Sequence, residues 1–192
     1  MLPVGKSKRG APTTPPTPLE VIRLRRRRLM DKASILGFFS RLLLLVVMVA
    51  AVFGLVFGVM PAPNDDMSPR ISAGDLLLYY RLTEDFVNGD VVVAQQEGNR
   101  YVGRIVARGG DTVEITDQAT LVVNGSTVIE SGIYYSTPPY ESGVTYPITL
   151  AQDELFLLCD YREGAKDSRY YGPVNTQDVL GKVITVVRRS GL

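Results

Sequence analysis

Apolar positions run without a charge from Leu42 to Met60, whereas after Met60 they come in short runs broken by Gly, Asn, Asp and Pro. The first pattern is close to the roughly twenty residues a helix needs to cross about 30 Å of hydrocarbon. Thirteen of its nineteen residues are Leu, Val or Phe, which favours the bilayer by roughly 4 to 8 kcal/mol on an insertion scale. A removable leader has a shorter apolar core and a small-x-small exit. Met60-Pro61-Ala62-Pro63 is a poor exit, so one retained transmembrane α-helix is expected over residues 42–60. Gly54 and Gly58 have the spacing of a close-packing helix face, which leaves the oligomeric state open.

The second pattern predicts strands. Asp75–Arg81, Asp90–Gln95, Arg100–Arg108 and Thr112–Thr116 are Val/Ile/Leu/Tyr runs bounded by turn residues, as are Glu154–Cys159 and Val179–Val187. Leu121–Ile129 places Asn124-Gly125 between apolar flanks, the strongest local signal for a tight hairpin. Residues 131–150, with Tyr134, Tyr135, Tyr140 and Tyr146 among prolines, read as a loop that serves either as a packed flap or as a contact surface. The expectation is a mainly β domain of small antiparallel sheets over residues 61–192, preceded by the helix.

Charge sharpens this division. Residues 1–41 carry ten Lys/Arg against two Asp/Glu, and residues 42–192 carry eleven against eighteen. Residues 1–19 are rich in Pro and Thr and are expected to be disordered, so 1–41 reads as a basic, largely disordered tail. Beside a span, the run Arg25–Arg28 reads as an anchor to anionic headgroups rather than a nucleic-acid site. The positive side is expected in the cytoplasm and the β domain outside it, in a single-pass plasma-membrane protein. Membrane is an expected partner; nucleic acid is not.

Inventory then limits the chemistry. The chain has no histidine and one cysteine, Cys159, which excludes a Ser-His-Asp or Cys-His mechanism, a His-ligated metal and an intramolecular disulfide. No metal and no cofactor are expected.

Three ordered segments carry a resemblance. Asp66-Met67-Ser68-Pro69, followed by Gly74-Asp75, is similar to the Ser-Met-x-Pro…Gly-Asp nucleophile box of type I signal peptidases. Tyr101–Asp111 resembles their Tyr-x-Lys-Arg…Pro-Gly-Asp box, and Cys159–Arg169 their Gly-Asp-Asn-Arg-x-x-Ser-x-Asp-Ser-Arg box. Gly181-Lys182 is similar to a final motif. The resemblance spans about Asn64 to Arg188 and implies the signal-peptidase fold.

It also implies a serine nucleophile, a neutral lysine base and a serine that orients the lysine. Here those positions hold Asp66, Gly103 and Ala165. An ionised carboxylate has no proton to lose and attacks amides poorly, and glycine supplies no base. Losing such a unit lowers turnover in other serine proteases by on the order of 10⁶. No catalytic residue is therefore intact. Two rescue routes stay open: Ser68 or Ser72 as nucleophile with Lys166 as base, or Asp66 with Asp167 as an acid pair.

In active relatives a peptide is clamped in extended form by backbone addition. The resemblance places such a groove at Asn64, Asp65, Met67, Pro69, Tyr101 and Val102. Asp160, Arg162, Asp167 and Arg169 are expected to form a buried structural network. The expected function is a membrane-anchored, non-catalytic protein that holds exported proteins. Inactive family members occur beside pilus components in Gram-positive bacteria, so the resemblance implies pilin segments as partners. The alternative is an active signal peptidase that cleaves preproteins.

Overall fold

The structure is a computed structural model that describes residues 17–141 and 143–188. The expected disorder of residues 1–16 lies outside the described residues. The chain divides into two compact units, Met1–Val49 and Ala50–Leu192.

The described part of the first unit is helical, and the helix α1 extends over Pro18–Ala51. It begins at Thr17-Pro18-Leu19-Glu20, where the Glu20 carboxylate accepts the Thr17 N–H at 2.9 Å. That is the return bond of a capping box, with proline in the first turn, where its missing N–H costs nothing. Residues 18–41 are thus helical rather than part of a disordered tail, since Leu, Arg, Met and Lys all favour helix.

The stretch long and apolar enough to cross a membrane is Lys32–Val56, not 42–60. Its start moves back because Ala33–Phe39 carries no charge. Its end moves back because Phe57–Pro61 is the strand β1, reached through one wide helical turn at Val52–Val56. Gly54 and Gly58 therefore share no helix face. Gly58 lies opposite Tyr79 in a strand pair, and a Cβ there would collide with the Tyr79 ring.

The second unit holds two antiparallel sheets, as the alternating pattern predicts. The larger contains β1, β2 (Leu76–Tyr80), β3 (Val91–Gln96), β4 (Asn99–Arg108), β9 (Glu154–Leu158), β10 (Val174–Asn175) and β11 (Val179–Val187). Their order is β1-β2-β11-β3-β4-β9-β10. The smaller contains β5 (Thr112–Ile115), β6 (Leu121–Val123), β7 (Ser126–Thr127) and β8 (Ile148–Thr149), in the order β7-β6-β5-β8. The hairpin falls where expected, with Asn124 and Gly125 at φ 52° and 76°. Both central residues are left-handed, which matches the strand twist. Asn124 also ties the hairpin down, donating to Asp111 at 2.7 Å and accepting the Thr112 N–H at 2.9 Å.

The core lies on both faces of the large sheet. On one face Met60, Met67, Ile71, Leu77, Val93, Val102, Cys159 and Ala165 pack together; on the other are Phe86, Val92, Ile105, Leu155, Leu157 and Val174. The short helix α2, Ser168–Tyr171, is capped by the Asp167 carboxylate, which accepts the Arg169 N–H.

Candidate functional site

The first of the three segments is a closed loop, Ala62–Asp75, between β1 and β2. Ala62 donates to the Asp75 carbonyl at 2.7 Å and Gly74 donates back to Ala62 at 3.0 Å. Met67 and Ile71, joined by an N–H···O bond of 3.0 Å, fasten its middle to the core. Asp65 accepts the Ala73 N–H at 2.8 Å. Burial on one side of this loop positions Asp66 on the other.

Asp66 faces the third segment. Its carbonyl accepts the Tyr161 N–H at 2.8 Å, and its carboxylate accepts from the Lys166 backbone N–H and from the Asn64 side-chain amide, the latter at 2.7 Å. Burial pushes the Asp66 carboxyl above the usual carboxylate range. The Lys166 and Asn64 hydrogen bonds oppose that shift, and the charges of Asp167 and Asp65 reinforce it. The carboxylate is a hydrogen-bonded acceptor.

Gly103 lies on β4. Its pairing with β3 is regular, so alternation puts Tyr101 and Gly103 on one face and Val102 and Arg104 on the other. A Cβ at Gly103 would meet the Leu157 Cβ at 3.1 Å. The face beside it carries aromatic rings: Tyr101 packs against Tyr171 with centroids 5.1 Å apart. The Lys166 ammonium lies 4.5 Å from the Tyr170 ring centre and 6.0 Å from that of Tyr101. Among the described residues no hydrogen bond joins that amine to Ser68 or Ser72, so the lysine–serine route has no assembled geometry.

The acid-pair route meets an occupied partner. Asp167 is fully buried and accepts four N–H groups, from Arg169 N, Nε and Nη2 and from Cys159 N, at 2.9 to 3.1 Å. Its lone pairs are committed to a guanidinium and two backbone amides, with none left for a proton shared with Asp66. Cys159 is no nucleophile either. Burial pushes its thiol up, as do the charges of Asp167 and Asp66, so it stays protonated.

Of the expected groove residues, Asn64, Asp65 and Pro69 are exposed and Tyr101 is half-buried. The side chains of Met67 and Val102 are 2% and 6% exposed and pack in the core: Met67 pins the loop and Val102 alternates inward, so any part these two residues take in a groove falls to their backbone groups.

The four network residues are all buried, and the structure supplies partners that the sequence reading did not select. Arg104 meets Asp160 through two bonds of 2.8 and 2.6 Å. Arg162 donates to the Cys159 carbonyl, to Thr137 at 2.8 Å and to Glu130 at 2.6 Å. Arg169 adds the Pro138 carbonyl at 3.1 Å and stacks 4.5 Å from the Tyr140 ring centre. Arg104 carried a signal, since it follows Gly103 in the second segment. Glu130 and Thr137 carried none.

A β domain in which a loop after the apolar helix converges on such a strand and such a network defines a signal-peptidase-like protein. The chain belongs to the signal peptidase family, peptidase S26, whose sequence model matches residues 35–188. It is 31% identical over 133 residues to a probable signal peptidase I-2 of Synechocystis sp., covering 62% of this chain and 58% of that one, less than two thirds of its length. It is 23% identical over 133 residues to an inactive signal peptidase IA of Staphylococcus aureus, covering 63% and 73%. A crystal structure of a signal peptidase I from Enterococcus faecalis shares 27% identity with a TM-score of 0.44, covering 53% of this chain and 98% of that one.

Proposed function

We propose that the protein is a non-catalytic signal-peptidase-like module, anchored by its apolar helix with the β domain outside the cytoplasm, that holds extended segments of exported proteins such as pilins. The observation that carries this reading is the pair of positions at the site. A hydrogen-bonded carboxylate stands at Asp66 where attack requires a hydroxyl, and Gly103 has no side chain where a base is required. Attack on an amide needs an activated nucleophile and a proton acceptor together. Holding a peptide by strand addition needs backbone N–H and C=O groups, and neither substitution removes any. The basic residues before the span support a cytoplasmic amino-terminal side. That an inactive Staphylococcus aureus protein stands among the relatives supports the loss of catalysis.

The test sets cleavage against binding. The full chain in detergent is incubated with a signal-peptide preprotein, alongside the Asp66→Ser/Gly103→Lys variant, and binding of a pilin-derived peptide is titrated in parallel. The expected outcome is binding without cleavage by the unaltered chain. Cleavage by the unaltered chain that disappears with Ser68→Ala would make it a working peptidase, and absence of binding to any pilin segment would remove the partner class.

A further inference from the structure

β11 lies between β2 and β3 but does not follow both to its end. It pairs with β2 from Lys182 to Val187 and with β3 only from Val179 to Lys182. The two strands part where Lys182 meets Asp90 at 2.7 Å. Beyond that point the chain turns towards β4: Gly89 donates to Ile105 at 2.8 Å, and Ile105 donates to Asp90 at 2.9 Å. Among the described residues, Val183–Val187 therefore has a strand on one side only.

The wedge so opened is a cleft of about 340 Å³, walled by Ile71, Val91, Ile184 and Val186. Arg70, Gly89 and Arg104 form its far side and also border a second cleft of about 430 Å³, walled by Ile105, Val128 and Ile133. The charges around these clefts are unequal in their commitments. Arg104 is engaged with Asp160, Lys182 with Asp90, and Glu130 with Arg162. Arg70 gives one N–H to the Ser131 carbonyl at 3.1 Å and has no carboxylate partner among the described residues.

We infer that the free edge of β11 is a second polypeptide-docking site, which takes an extended, apolar segment carrying one acidic side chain for Arg70. An unpaired strand edge offers N–H and C=O groups at fixed spacing, and natural proteins cover or charge such edges when they are not used. Here the edge is mostly apolar, a bulge between Val183 and Thr185 leaves Thr185–Val187 as its regular stretch, and the cleft of about 340 Å³ lies beside it. Strand addition supplies affinity through the backbone, and the cleft selects side chains on alternate positions. An anionic group is selected because, among the described residues, Arg70 is the one cation lining these clefts that is left without a counter-charge. The site lies on β11 and β3 and takes Arg70 and Ile71 from the Ala62–Asp75 loop, but it includes neither Asp66 nor Tyr101, and it does not depend on the reading given for them.

The experiment measures amide hydrogen exchange of the full chain in lipid nanodiscs, with and without a short synthetic peptide that alternates valine and threonine around one glutamate. Exchange at residues 183–187 is expected to slow. Arg70→Glu should weaken the peptide roughly fivefold or more, and replacing the glutamate by lysine should restore binding to that variant. N-methylation of alternate peptide amides should abolish protection. Protection confined to residues 57–66 would overturn the proposal while leaving the Asp66 groove in place. Slowed exchange at 183–187 without peptide, rising with protein concentration, would assign the edge to a second copy of this chain and overturn it too. No change at 183–187 at any peptide concentration likewise overturns it.

Discussion

Removal of the Asp167 carboxylate is the most informative single perturbation of the domain. Both oxygens are buried and accept four N–H groups, three of them from Arg169. In Asp167→Ala the Arg169 guanidinium, itself 0% exposed, keeps only the Pro138 carbonyl and the Tyr140 ring face. Stranding one member of a buried ion pair costs about 3 to 5 kcal/mol, against about 5 to 15 kcal/mol for the whole of a typical domain. With a urea slope of about 2 kcal/mol per molar, the midpoint should fall by about 2 M. The assay is urea unfolding of the full chain in detergent, followed by tyrosine circular dichroism. Removing the stranded charge as well, in Asp167→Ala/Arg169→Met, should recover much of the loss, because the cost resides in the uncompensated cation. An unshifted midpoint for the single variant, or a double variant worse than the sum of its parts, would refute the structural role given to this pair.

Two smaller effects follow from the same geometry. Burial raises the Asp66 carboxyl above its unfolded value, so the folded state binds the proton more tightly and stability falls as pH climbs from the unfolded value through the folded one. Asp66→Asn should therefore melt higher than the parent at pH 7, with the gap closing near pH 4; a gap that widens in acid would reverse the sign. Gly58→Ala should lower stability by about 1 to 3 kcal/mol through overpacking, because the new methyl meets the buried Tyr79 ring. A melting temperature equal to the parent's would show that the β1–β2 pair yields freely.

Strands β2 to β6, β9 and β11 and the Asn124-Gly125 turn are legible because alternation and turn chemistry are local properties. The end of the apolar helix is not. Phe57, Gly58, Val59 and Met60 suit a membrane helix as well as a strand, and they become β1 through pairing with Leu77–Tyr80, residues that follow a loop. The same limit explains Met67 and Val102, whose type suits a groove or a core equally. Their inward placement depends on Cys159 and Ala165, which come far later in the chain. Glu130 was invisible as a partner of Arg162 because a half-buried acid in a loop has no local signature.

By itself, the order of residues determined which groups are on hand for chemistry. It holds no histidine and one cysteine, with an acid and a glycine at positions 66 and 103, because the groups available for proton transfer are a matter of inventory. It also determined an apolar helix followed by a β-rich region, since both patterns repeat over a few residues. The tertiary structure alone decided which carboxylates are occupied, which arginine beside the β11 clefts has no carboxylate partner among the described residues, and where β11 loses one of its neighbours. Those depend on groups brought together from distant parts of the chain, and ion pairing and strand pairing act over a few ångströms of space rather than along the sequence.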